Sequence, residues 1–357
     1  MNALTKALDH WFGRGDFSIT TPPMDGLFRP NDHLDDALAC LQTPAPDALA
    51  ATSQGVLVTS GRALLRLADG APVATFEADV TALTGLPDGG AAVGLADGRL
   101  LFLGGERAGQ TLAAHPQLRC ITALAPAPDG AVFVANGSSR YGPADWKRDL
   151  MATQASGSLW RLDPAAATWR QLAGGLAYPY GVLDHGDGVV VSESWRCALT
   201  RVCEGGGRPT PVIEALPAYP SRLTRGDDGS IWLALFAPRS QLLEFVLREP
   251  RYRQRMVAQI DPDHWVAPCL RSGRSPLEPI QQGGVKQLGV LKPWSPSRSY
   301  GLIARLDGEF NPKASFHSRA NGRRHGVTCC LSSGGRVYFT AKGDDVVASF
   351  ADQEASA

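Results

Sequence analysis

The sequence predicts an all-β fold, a six-bladed β-propeller, and three observations carry that prediction. Glycine (39) and proline (26) punctuate many short apolar runs along the 357 residues, the composition of a turn-rich chain of short strands. Within those runs apolar and polar positions alternate with period two. The runs recur as a unit of blade length, and the turn glycines Gly55, Gly89, Gly130, Gly188, Gly229 and Gly335 mark six copies. One such sheet cannot bury both of its faces, whereas six packed radially can.

Residues 1–45 read as an N-terminal helix followed by a ring-closing segment. Leu4, Ala7, Leu8, Trp11 and Phe12 recur at helical spacing, and residues 17–28 are placed to give a strand to the last blade. Residues 46–350 form a single propeller domain. The first two copies, 47–70 and 81–105, alternate cleanly. The third, 121–142, is interrupted by a polar insertion before GSLWRLDP resumes it. The fourth, 178–202, is the clearest: an aromatic-Pro start, an Asp187-Gly188 turn and the β-branched run Val189-Val190-Val191. The fifth, 221–238, gives way to residues 239–299, a helical and irregular lid inserted between strands of that blade. The lid carries Arg248, Arg251, Arg253 and Arg255 with Glu244 and Glu249 among them, the pattern of a solvated face. The sixth copy is 326–350, and 351–357 is a tail.

Balanced charge, 35 basic against 35 acidic residues, speaks against a nucleic-acid footprint or a basic membrane patch. The seven cysteines are scattered without CxxC spacing, so buried thiols in a reducing compartment are expected, with no zinc site and no disulfide framework. No long apolar run opens the chain, which predicts neither a signal peptide nor a membrane span and a cytoplasmic protein. Ser138, Ser139 and Ser192 lie in no GxSxG elbow.

Several stretches resemble the strictosidine synthase-like family, within the wider group of SMP-30, gluconolactonase and paraoxonase propellers. They are Ser138-Ser139-Arg140-Tyr141 with Asp145-Trp146, GSLWRLDP at 157–164, LAGGLAYPYGV at 172–182, SESWRCALTRV at 192–202, DDGSIWLALFAPRS at 227–240 and YGLIARLDG at 300–308. The resemblance implies a six-bladed propeller with a site at one mouth of the central channel. In metal-dependent relatives, oxygen ligands from the inner strand starts hold a calcium-like ion. Those positions fall here on Asp47, Thr122, Tyr180 and Ser221-Arg222, so no metal and no cofactor is expected. The family's acid/base Glu, two residues after a His in the last blade, falls on Val327 behind His325, and a methyl group moves no proton.

The candidate catalytic residues are therefore His325, Tyr180 and Arg222, which the resemblance gathers at the channel mouth for proton transfer and electrostatic stabilisation. Asp47, Thr122, Tyr141, Trp146, Glu193 and Phe236 are the candidate substrate-binding residues. Against these stand structural alternatives: an Arg222–Asp47 ion pair filling the metal's place, Glu193 as an inter-blade contact, and the aromatics as packing. His185 and His317 read as solvated. The expected function is metal-independent, acid/base-assisted condensation or cyclisation of a small-molecule substrate in secondary metabolism, a lyase-like reaction. The alternatives are a gluconolactonase-type lactone or ester hydrolase and a non-catalytic binding propeller.

Overall fold

The computed structural model describes residues 21–186, 188–279, 286–287, 290–292 and 297–352. Six four-stranded antiparallel sheets are arranged as a six-bladed β-propeller. Each sequence repeat supplies the inner strands of one blade, and one or two further outer strands complete it. The innermost strands are Pro46–Thr52, Val80–Gly85, Ile121–Pro126, Pro179–His185, Ala218–Arg225 and Val327–Ser333. The run Val189-Val190-Val191 is buried on all three residues, because a middle strand of a blade packs against a neighbouring blade on each face.

The ring closes through a later segment than expected. Leu38–Gln42 pairs antiparallel with Val346–Ala351 as the outermost strand of blade 6, with Leu38 opposite Ser349. The expected stretch, 17–28, forms no strand in its described part, where Gly26–Phe28 is a single 3-10 turn. The short helix α1 (His33–Asp36) buries Leu34 and leads into the closing strand. The amphipathic helix expected near residue 8 lies outside the described residues.

A β-bulge interrupts every innermost strand near its first residues. The register slips between Pro46 and Leu49, Val80 and Ala82, Ile121 and Ala123, Pro179 and Gly181, Pro220 and Leu223, and Val327 and Cys329. A bulge removes a residue from the ladder and re-aims its groups. The residues so released are Asp47, Thr81, Thr122, Tyr180, the Ser221-Arg222 pair and Thr328, and they build the floor of the channel.

Two insertions cover the same mouth. Blade 3 carries the helix α2 (Trp146–Ala152), and blade 5 carries α3 (Gln241–Arg248) and α4 (Pro250–Gln259) between its second and third strands. Ser240 caps α3 by accepting from the Leu243 amide at 3.2 Å. Leu243 and Val246 of α3, Met256 of α4 and the fully buried Trp265 then pack onto blades 4 and 5. Beyond them the chain returns across the top of blade 6. A Cβ on Gly343 would stand 1.9 Å from the Leu270 carbonyl oxygen, so only glycine lets the insertion sit so close to the loop that follows Lys342.

Candidate functional site: the axial cavity

Arg222 stands on the propeller axis. Its five N–H groups meet five acceptors: Nε donates to the Thr122 carbonyl (3.1 Å), Nη1 to the carbonyls of Asp47 (3.0 Å) and Thr328 (3.4 Å), and Nη2 to the Thr81 carbonyl (2.7 Å) and Asp47 Oδ2 (3.1 Å). Four blades thus grip one guanidinium through carbonyls that the bulges release. Gly181 lets blade 4 reach it, since a Cβ there would come within 2.6 Å of the Ser221 carbonyl oxygen.

Asp47 bridges two cations. Beside the Arg222 contact, its Oδ1 lies 3.2 Å from Lys342 Nζ. Burial alone would raise the carboxyl's pKa, but the charges and hydrogen bonds of Arg222 and Lys342 outweigh it and hold Asp47 well below the usual carboxylate range. The same balance keeps Arg222 charged despite burial. The Tyr180 ring lies against the guanidinium at 5.1 Å. Burial first, then the Asp47 charge, push the Tyr180 phenol upward, so it remains an O–H donor.

Above this floor opens a cavity of about 370 Å³, a size suited to a small molecule. Asp47, Thr122, Tyr180 and Arg222 line its base and Trp146 and Phe236 its side. Five rings form a continuous wall: Tyr178 stacks on Trp195 at 4.5 Å, Trp195 on Trp146 at 6.1 Å, and Tyr180 and Trp146 meet Phe236 edge-on at 5.9 and 5.7 Å. The buried Asp149 carboxylate accepts from Trp195 Nε1 at 2.8 Å and fixes that ring. Tyr178 adopts a left-handed backbone at φ +57°, a strained conformation for an aromatic residue.

Three candidates lie outside the cavity lining. His325 is buried, with Nδ1 2.7 Å from Ser299 Oγ and Nε2 2.8 Å from the Arg319 carbonyl. A carbonyl only accepts, so Nε2 carries the proton and Nδ1 accepts from Ser299. Burial lowers its pKa, and the neutral ring is occupied at both nitrogens. Glu193 is likewise buried, accepting from the Ala177 amide (2.7 Å), Thr200 Oγ1 (2.7 Å) and Arg196 Nη1, an inter-blade tie. Tyr141 flanks the mouth, its amide donating to Ser138 Oγ at 3.1 Å.

Further corrections concern Arg222 and His317. With every donor engaged, Arg222 has none to offer a ligand and acts as a fixed charge. His317 is fully buried rather than solvated, between Tyr300 Oη (3.1 Å) and Ser315 Oγ (2.7 Å). His185 lies 2.7 Å from the Gly308 carbonyl through Nε2.

Sequence reasoning missed Lys342, Tyr178 and Trp195 at the cavity. A signal for Lys342 existed: it follows the second strand of blade 6 (Arg336–Ala341), whose end pairs with the inner strand's start through Ala341 opposite Val327. Residues just after second strands therefore face the same mouth as the inner bulges.

A calcium-like ion does not fit this axis. The guanidinium occupies the point where oxygens from four blades converge, and a second cation there would meet its full charge. Among the described residues no group of three or more His, Cys, Asp or Glu side chains is placed to hold a metal. All seven cysteines are free, five of them buried. No described helix is long and apolar enough to cross a membrane.

No family model matches the chain. In sequence it is similar to Protein STRICTOSIDINE SYNTHASE-LIKE 13 of Arabidopsis thaliana, 26% identical over 129 residues, which are 35% of this chain and 32% of that protein. The match therefore spans about a third of the relative's length. Among solved structures it is similar to a gluconolactonase from Xanthomonas campestris, with TM-score 0.55, 13% identity, and 88% of each chain covered. Regucalcin from Agrobacterium tumefaciens, a calcium-binding protein, gives TM-score 0.52 at 12% identity, covering 88% of this chain and 92% of its own. The chain is thus a six-bladed propeller similar in sequence to strictosidine synthase-like proteins and in fold to the gluconolactonase and regucalcin propellers.

Proposed function

We propose that this chain is a strictosidine synthase-like enzyme of small-molecule metabolism. In this reading it activates a carbonyl substrate in the axial cavity for condensation or ring closure, without a divalent metal. The observation that supports it is the saturation of Arg222: a permanent side-chain cation stands on the axis with all five donors engaged. Around it, Tyr180 and Lys342 line the cavity. A site made of donors stabilises negative charge developing on oxygen.

The site supplies no strong base. Asp47 is held ionised by two cations and gives up its lone pairs reluctantly, and His325 lies outside the cavity. The reaction that suits such a site is addition to a carbonyl by a nucleophile that the substrate itself carries: Tyr180 donates a hydrogen bond to the developing alkoxide oxygen, which takes up the proton that the nucleophile sheds, so the phenol ends as it began.

The test is to incubate purified protein with panels of aldehydes, ketones, lactones and aryl esters and follow products by mass spectrometry, in EDTA and in calcium. Carbonyl addition that neither condition changes, and that Lys342→Met lowers, is the expected result. Lactone or ester hydrolysis that vanishes in EDTA and returns with calcium would replace the reading with a gluconolactonase-type hydrolase. Saturable binding without turnover would leave a non-catalytic propeller.

A further inference from the structure

The charge at the axis is unbalanced. Asp47 sits 3.1 Å from Arg222 Nη2 and 3.2 Å from Lys342 Nζ, so one carboxylate faces two cations and one positive charge is left over. The other acid in the cavity wall, Asp79, does not answer it. That side chain lies at the rim, 66% exposed, 3.7 Å from Arg62, where water screens it.

The surplus charge resides on Lys342. Its ammonium has three N–H donors, and Asp47 is the one acceptor beside it among the described residues. The side chain is 27% exposed and lines the cavity. Its place is fixed from both sides. The Lys342 amide donates to the Gly326 carbonyl at 3.1 Å, and Arg271 of the insertion ties down the next turn through Asp345 at 2.6 Å. The five-ring wall lines the same cavity and gives its ligand a largely apolar surrounding.

We propose that the cavity takes an aromatic or flat apolar monoanion, a carboxylate, with its anionic group on Lys342 Nζ and its ring against the wall of Trp146, Trp195, Tyr178, Tyr180 and Phe236. The inference rests on the cavity being the substrate site and adds the substrate's charge. An amine of the same shape would bring a third positive charge to Asp47 and be rejected by like-charge repulsion.

Isothermal titration of the full chain with 4-phenylbutyrate, 4-phenylbutanol and 4-phenylbutylamine isolates charge at constant ring and chain. The acid should bind about tenfold tighter than the alcohol, and the amine weakest. Lys342→Met should remove the acid's advantage, and Lys342→Glu should reverse the order, with thermal unfolding showing that both variants fold. An alcohol or amine that binds as tightly as the acid would overturn the charge assignment while leaving the cavity as the site. Acid binding unchanged in both Lys342 variants would also overturn it. If none of the three binds, the inference and the reading of the cavity both fall.

Discussion

Two clusters of buried polar side chains differ in what they leave open. At the axis, Asp47, Arg222 and Lys342 bury opposite charges against one another, and Lys342 turns its remaining donors toward a cavity. Under the insertion, His325 and His317 are buried among hydroxyls and a carbonyl, with both nitrogens of each ring engaged. Both clusters contain titratable groups that a sequence reader would nominate for catalysis. Only the first touches space that a ligand can enter, so cavity access rather than residue type separates a site from a structural network.

The largest expected effect breaks the axis. Arg222→Met removes one of the two cations that answer Asp47 and the donors that reach four blade carbonyls, and losing one partner of a buried pair costs about 3–5 kcal/mol. Denaturant unfolding should show a loss of that order. A variant as stable as the parent would mean that the guanidinium does not hold the blades together.

The two clusters should also separate by pH. Burial pushes His317 down to about 4 from its ordinary 6.5, so the unfolded chain takes up its proton first as pH falls. The stability held above pH 6.5 should then decline toward pH 4, by about 3 kcal/mol over the full window. Asp47 behaves in the other range: its lowered pKa contributes stability above the ordinary carboxylate value that is lost only in stronger acid. Unfolding free energies measured from pH 7 to 4 should fall less steeply in His317→Gln than in the parent, the slope that remains coming from His325 and Glu278, whose pKa values the fold also lowers. An equal slope in both would remove His317 as the source.

A smaller cost is expected at His325. His325→Ala removes two hydrogen bonds, about 1–3 kcal/mol together, although Ser299 keeps Ser272 and the Arg319 carbonyl keeps the Gly322 amide, and cavity ligands should bind as they do to the parent. Calorimetry on the folded variant checks this; weakened binding would put His325 back at the site.

The blades were legible in the sequence because period-two patterning and turn glycines are local signals, and Val189-Val190-Val191 or the Asp228-Gly229 turn declares itself without tertiary context. Asp47, Thr122, Tyr180 and Arg222 reached the axis as the resemblance implied, since each occupies an inner strand start. Their chemistry was not legible. A bulge depends on where two strands fall out of register, and nothing in Thr81 or Thr328 announces that its carbonyl will turn to Arg222. His325 misled for the complementary reason: its neighbours in space, Ser299 and Arg319, arrive from the end of the insertion and the far side of blade 5. The closing strand shifted from 17–28 to 38–42 because outer-strand pairing is decided by reach around the ring, which periodicity does not encode.

The finest test concerns one oxygen. Tyr180 gives its ring to the aromatic wall and to Arg222, while its hydroxyl makes no hydrogen bond among the described residues. Tyr180→Phe should therefore keep the wall and the packing, and its stability should stay within about 0.5 kcal/mol of the parent. If the hydroxyl donates to an oxygen on which charge develops, turnover should nonetheless fall by about 10²–10³-fold, the loss usual for one such donor. The KM should change little, since the interaction strengthens only in the transition state. A variant with parental turnover would leave Lys342 as the acting donor and reduce Tyr180 to a wall. Equal losses of turnover and stability would instead place the hydroxyl in the fold, on the same footing as His325.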